Sequence, residues 1–208
     1  MYNELFSKLL KALNNIGKKP IMAYGGYESI ILCNTNSPAR LYGVAQSVGY
    51  GEYRAITPVG GGMPVNKYYF LPTHCRMRFD DVARILSEHG YFSASKSEKE
   101  HALDYYRDIC NCGICHEIIR DDINGFSTYN DSIPYTVKTR NGILTKNRPT
   151  TDATLIAAIH FLNCKVFEWN YIENENLSTV LDNLKSCYAQ YQPKLVGHIN
   201  KWCEIYGK

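Results

Sequence analysis

Residues 108–119 read Asp108-Ile109-Cys110-Asn111-Cys112-Gly113-Ile114-Cys115-His116-Glu117-Ile118-Ile119, a run with three thiols inside one short loop. Three cysteines at C-x-C-x2-C spacing can all turn toward one ion. Zinc takes sulfur and nitrogen ligands at the corners of a tetrahedron, so the loop fills three corners and leaves a fourth to be found elsewhere. Cysteine also packs well in cores, but a polar Asn/Gly loop is no place for three packing residues.

Four residues compete for the fourth corner. His116 follows Cys115 directly, and neighbouring residues rarely reach one ion together. His101 lies one helix upstream and is free to point away. His160 sits in "AAIHFLNCKVFEW", on an expected helix whose Ile156, Ile159, Val166 and Phe167 should face inward. A histidine on such a face is ordinarily a satisfied core residue, yet a three-thiol loop needs a partner, which turns the reading toward a ligand. Cys164, one helical turn further on, is the runner-up. The expected set is Cys110, Cys112, Cys115 and His160 around Zn2+. An iron–sulfur cluster is the rival, since Cys164, Cys187 and Cys203 are also available. A closed Cys3His site is structural rather than catalytic.

The rest of the composition sets the frame. With 208 residues and 45% hydrophobic residues, the chain can bury a real core. A net charge of +3 permits an anionic partner without demanding one. The seventeen tyrosines suit base stacking and ordinary core packing alike. No run approaches the roughly 18 apolar residues that span a bilayer. The N-terminus lacks the basic start, apolar centre and cleavage site of an export signal. The expectation is a cytoplasmic protein with no membrane association, whose eight cysteines stay reduced.

Along the chain, Leu5, Phe6, Leu9, Leu10, Leu13 and Ile16 recur at helical spacing and predict an amphipathic first helix. "PIMAYGGYESIILC" reads as a strand, a Gly25-Gly26 turn and a second apolar stretch. The segment around Gly60-Gly61-Gly62 is too glycine-rich for regular structure. "KYYFL" predicts a strand ended by Pro72, and "FDDVARILSEHG" a short helix stopped at Gly90. Residues 120–150 read as a polar insertion with a short hairpin at Asn141-Gly142. Three helices are expected to follow, at about 151–171, 177–191 and 194–206. The domain reading is a glycine-rich α/β part over residues 1–103 and a helical zinc-binding subdomain over 104–208.

The C-x-C-x2-C loop, followed by a histidine opening "IHFLNCKVFEWNYI", resembles the zinc subdomain of the tRNA-guanine transglycosylase family, which includes relatives that insert 7-deazaguanines into DNA. The likeness is carried by residues 104–190. Over 60–90 it is weaker, where "GGGMPVNKYYFLPTHCRMRFDDVARIL" is similar to the segment leaving the last barrel strand. It implies a partial or reduced TIM-barrel-like N-terminal part, base exchange on tRNA or DNA, and a structural zinc. The gap from Cys115 to His160 is longer than the family's, which fits an insertion at 120–150.

About 105 residues precede the cysteines, against the roughly 250 of an eight-stranded barrel. The resemblance therefore implies a split or shortened member, completed by a catalytic or barrel-supplying partner chain, or a non-catalytic subunit that binds nucleic acid or a partner. The family's aspartate nucleophile has no counterpart, since no aspartate precedes Asp80. Glu28 and Glu52 are the only carboxylates left to replace it after Glu4. Gly25, Gly26 and Tyr27, and likewise Tyr50 in "GYGEY", put aromatic faces beside permissive backbone that could sandwich a flat base; tight turns explain the same residues. Arg76 and Arg78, with Lys67 and Arg84, form a modest basic cluster suited to phosphates or simply to a solvated face.

Overall fold

The computed structural model describes residues 2–45, 67–140 and 142–206. Tyr50, Glu52 and the Gly60–Gly62 run lie outside them. The described chain mixes helix and sheet and forms two compact units interleaved along the sequence. The first holds residues before 46, 72–75 and those from 165 on; the second holds 67–71 and 76–164. The expected point of division at residues 103 and 104 falls inside the second unit. The described strands form three two-stranded sheets and no closed barrel.

In the first unit, helix α1 (Tyr2–Asn15) turns Phe6 and Leu10 inward onto Leu32, Leu41 and Tyr206. Leu5, Leu9 and Ile16 of the expected apolar face are exposed instead. Strand β1 (Ile21–Met22) pairs in parallel with β2 (Gly43–Val44). The second apolar stretch after the glycines is helix α2 (Tyr27–Ile31), whose Ile30 and Ile31 enter a core with Val180, Leu181 and Leu184. Gly25 is required here: a Cβ would stand 2.4 Å from Ser29 Oγ and 2.6 Å from Val44 Cγ2. Helix α7 (Leu177–Tyr191), capped by the Asn176 side chain, and α8 (Val196–Tyr206) close this core. The α6 helix (Thr151–Asn174) ends here. Asn34 Nδ2 donates to the carbonyls of Ile172 (2.7 Å) and Glu175 (2.9 Å), acceptors that a helix terminus leaves open.

The second unit starts with β3 (Lys67–Phe70) and continues from β4 (Cys75–Arg78) into α3 (Phe79–Glu88). Phe79, Val82, Ile85 and Leu86 recur at helical spacing and are buried, each contributing about 1.5–3 kcal/mol. Gly90, at φ 82°, ends that helix in a conformation glycine tolerates best. Helix α4 (Glu98–Asp108) opens on a reciprocal Ser97–Glu100 capping box. Helix α5 (Gly113–Ile119) grows out of the cysteine loop, and a 3-10 segment, Ile123–Asn130, crosses beneath it. Gly125 permits this crossing, because a Cβ would lie 2.4 Å from the Ile118 carbonyl oxygen.

Residues 120–150 are more ordered than an insertion of loose polar chain. Strands β5 (Ser132–Thr139) and β6 (Gly142–Pro149) form an eight-pair antiparallel ribbon. Asn141 of the expected turn lies outside the described residues. The reading of α6 needs a further correction. Its buried stripe is Ala153, His160, Phe161, Cys164, Glu168 and Ile172, whereas Ile159, Val166 and Phe167 are exposed. Polar residues occupy the inner face because their partners lie there.

Candidate metal centre

Three segments of the second unit converge on one point: the loop after α4 delivers Cys110 and Cys112, the first turn of α5 Cys115, and the middle of α6 His160. One ligand atom from each residue lies within 4.8 Å of all the others. His160 Nδ1 stands 3.4 Å from Cys112 Sγ, 3.4 Å from Cys115 Sγ and 3.9 Å from Cys110 Sγ. Metal–sulfur bonds of about 2.3 Å and a metal–nitrogen bond of about 2.05 Å give a tetrahedron with sulfur–nitrogen edges of about 3.6 Å. The observed edges bracket that value. The set can hold a metal ion, with all four corners supplied by the chain.

The surroundings settle how His160 is used. Its ring is fully buried and Nε2 lies 2.8 Å from the Tyr69 carbonyl oxygen. A carbonyl only accepts, so Nε2 carries the proton and the Nδ1 lone pair faces the thiols. This is the outer hydrogen bond that orients a metal-binding histidine. Tyr68 stacks on the same ring at 4.3 Å. Cys115 Sγ is ringed by phenols, with Tyr105 Oη and Tyr129 Oη each 3.4 Å away. Both donate to the sulfur when it is a thiolate, and Tyr68 Oη donates in turn to Tyr105 Oη.

Electrostatics point the same way. The Cys112 thiol is held far below its ordinary value by hydrogen bonds from Cys110 and Cys115, with His160 adding to them. The Cys110 thiol is pushed up, first by its contact with the Cys112 sulfur, and Cys115 is pushed up first by burial. Burial alone would lower His160, but its bonds to Cys112 and Cys115 prevail and raise it to about 10. Three thiolates and a neutral imidazole require a cation at their centre, and its binding expels protons.

The other candidates fall elsewhere. Cys164 Sγ borders the site, 3.9 Å from Cys110 Sγ and 3.8 Å from His160 Nδ1, but it is outside the set of four whose ligand atoms all lie within 4.8 Å of one another. His116 stacks on Tyr106 at 3.9 Å and bonds Asn111. His101 bonds the Ser93 carbonyl at 2.8 Å. Arg76 stacks its guanidinium 3.8 Å from the Phe161 ring centre, and Arg78 pairs with Asp80 at 3.6 Å. Arg84 pairs with Glu88 at 3.0 Å. Most of the expected basic cluster is thus engaged locally.

In the first unit, Glu28 accepts a hydrogen bond from Tyr206 Oη at 2.5 Å, and burial raises its carboxyl above the ordinary value. Gly26 is open, while Tyr27 is buried with one ring face stacked on His74 at 3.5 Å.

That contact leads to a group that sequence reasoning missed. Glu168, with a fully buried side chain, receives His74 Nδ1 at 2.7 Å on one oxygen and Lys165 Nζ at 2.8 Å on the other. His74 is one of two non-glycine residues described at positive φ, at 52°. Burial lowers the His74 pKa despite the carboxylate, while His74 and Lys165 together outweigh burial and hold Glu168 below its ordinary value. The pair spans 94 residues of sequence, and only the local Lys165-x-x-Glu168 spacing hints at it.

Among known protein families, curated proteins and solved structures, none matches this chain.

Proposed function

We propose that this chain is a zinc-stapled, non-catalytic subunit that binds nucleic acid. The observation that carries it is the closed Cys3His set, Cys110, Cys112, Cys115 and His160, with its buried outer hydrogen bonds. A soft tetrahedral N/S set suits zinc, and a site with all four corners taken by protein tethers the cysteine loop to α6 rather than activating a water. Nucleic acid as the partner rests on the likeness of the cysteine loop and its histidine to the transglycosylase zinc subdomain.

Base exchange on guanine or a 7-deazaguanine is the second reading, favoured by that same likeness. It needs a partner chain to complete a barrel and Glu28 or Glu52 to act as nucleophile. Glu28 is tied to Tyr206 and raised by burial, which keeps it a poor nucleophile. The test is binding to a tRNA and to a duplex DNA at low salt, where phosphate contacts are strongest, with labelled guanine exchange measured in parallel. Binding without exchange supports the first reading, exchange supports the second, and no binding to either nucleic acid overturns both.

A further inference from the structure

We infer that the β5–β6 ribbon is a duplex-DNA-binding arm that enters the major groove; the inference rests on the nucleic-acid reading above. Residues 132–149 contain Lys138, Arg140, Lys146 and Arg148 and no carboxylate. The register divides the side chains between two faces. Ile133, Tyr135 and Val137 share one face with Arg148, Lys146 and Leu144 directly opposite. Thr136 and Lys138 share the other with Thr145 and Ile143. Arg140 follows β5 at the tip, and Arg148 stands 5.9 Å over the Tyr135 ring.

Positive charge therefore lies on both faces and at the end. Among the described elements, the two strands pack chiefly on each other, and nearly all their residues are exposed or half-buried. A ribbon of this kind is marginal by itself in water, so its length calls for a partner. Eight residues at about 3.3 Å each extend about 26 Å.

Charge on both faces fits poorly with a bilayer surface, which receives one apolar face. It fits a groove walled by phosphates on either side. The B-DNA major groove, about 12 Å wide, admits a two-stranded ribbon, whereas the A-form RNA major groove is too deep and narrow. Thr136 and Thr145 supply hydroxyls to the groove from the more polar face. At the ribbon's base, beside the first turn of α6, a cavity of about 460 Å³ is lined on one hand by Arg148, Thr150, Thr151 and Thr154 and on the other by the apolar Ile133, Pro149, Leu155 and Ala158. There Arg148 is the group suited to a backbone phosphate, since the Thr150 hydroxyl already accepts from the Ala153 N–H and the Thr154 hydroxyl donates to the Thr150 carbonyl. Asp131 and Asp152 flank the base and limit the positive field to the ribbon itself.

The experiment is fluorescence anisotropy of a labelled 20-base-pair duplex with the zinc-loaded full chain, from about 50 to 200 mM salt. Wild type is compared with Lys138→Ala, Arg140→Ala and the fourfold variant that adds Lys146→Ala and Arg148→Ala. Each cation that meets a phosphate should take about 0.9 from the slope of log K against log salt. Unchanged metal content and melting temperature certify that each variant is folded. An unaltered slope in the fourfold variant, with the wild type binding, overturns the ribbon's role and spares the nucleic-acid reading. Binding to tRNA but not to the duplex does the same. Absence of binding to either overturns both.

Discussion

His160→Gln tests the metal centre through its least replaceable ligand. Glutamine keeps an N–H that can reach toward the Tyr69 carbonyl but is a poor ligand for a soft ion. The substitution removes the Nδ1 corner that stands 3.4 Å from two sulfurs, and the ring that stacks on Tyr68. Trading the stacked ring for an amide of similar size costs about 0.5–1.5 kcal/mol. That is a small part of the roughly 5–15 kcal/mol that holds a domain folded, so what His160→Gln chiefly loses is the stabilisation supplied by a bound ion.

His160→Cys separates the two causes. It restores a fourth soft ligand while giving up the bond to Tyr69. The assay is metal content per chain with a thermal melt run with and without chelator. His160→Gln should lose the ion and melt at the same temperature whether or not chelator is present. His160→Cys should keep the ion and remain chelator-sensitive. Wild-type metal content in His160→Gln would refute the assignment of the fourth corner.

Tyr129→Phe removes one donor to Cys115 Sγ and should weaken metal affinity about 10–100-fold in competition with a chelating dye; unchanged affinity would remove the phenol from the account. Gly125→Ala should destabilise the second unit by about 1–3 kcal/mol in denaturant melts, since the new Cβ meets backbone rather than a movable side chain. Glu168→Gln should cost about 1–3 kcal/mol at neutral pH by replacing a buried carboxylate that accepts from both His74 and Lys165 with a neutral amide. The same group sets an acid sensitivity. His74 is lowered from 6.5 and Glu168 from 4.5, so in each case the unfolded chain binds the proton first. Stability is therefore full above pH 6.5, falls as pH drops below it, and falls again as Glu168 is protonated. Because Glu168 holds the His74 pKa up against burial, urea melts between pH 7.5 and 4 should show a steeper decline in Glu168→Gln; an equal or shallower slope would contradict the assignment.

The cluster of Cys110, Cys112, Cys115 and His160, which can hold a metal ion, was legible because three thiols in one loop point to a common ligand and a histidine on a later helix is the natural fourth partner. The same reasoning misjudged α6. Ile159, Val166 and Phe167 looked like an inward face, but the helix is turned by where His160, Cys164 and Glu168 find partners. Hydrophobic periodicity ranks burial by oil-like character and cannot see a buried ion or carboxylate. Strands β1 and β2 are two residues each, too short for a period to register, and α2 follows a double glycine that suggested a turn between strands. The His74–Glu168–Lys165 group depends on a contact across 94 residues that no spacing rule reaches. A short hairpin was legible at Asn141-Gly142, but not the length of its strands. Its threonines, prolines and cations lack strict alternation because neither face is covered.

The measurement that bears most directly on the account is elemental analysis of the purified chain. One zinc per chain in the wild type, absent from His160→Gln, is the predicted result. No metal, or iron with a visible absorption band, would contradict a structural Cys3His zinc at Cys110, Cys112, Cys115 and His160.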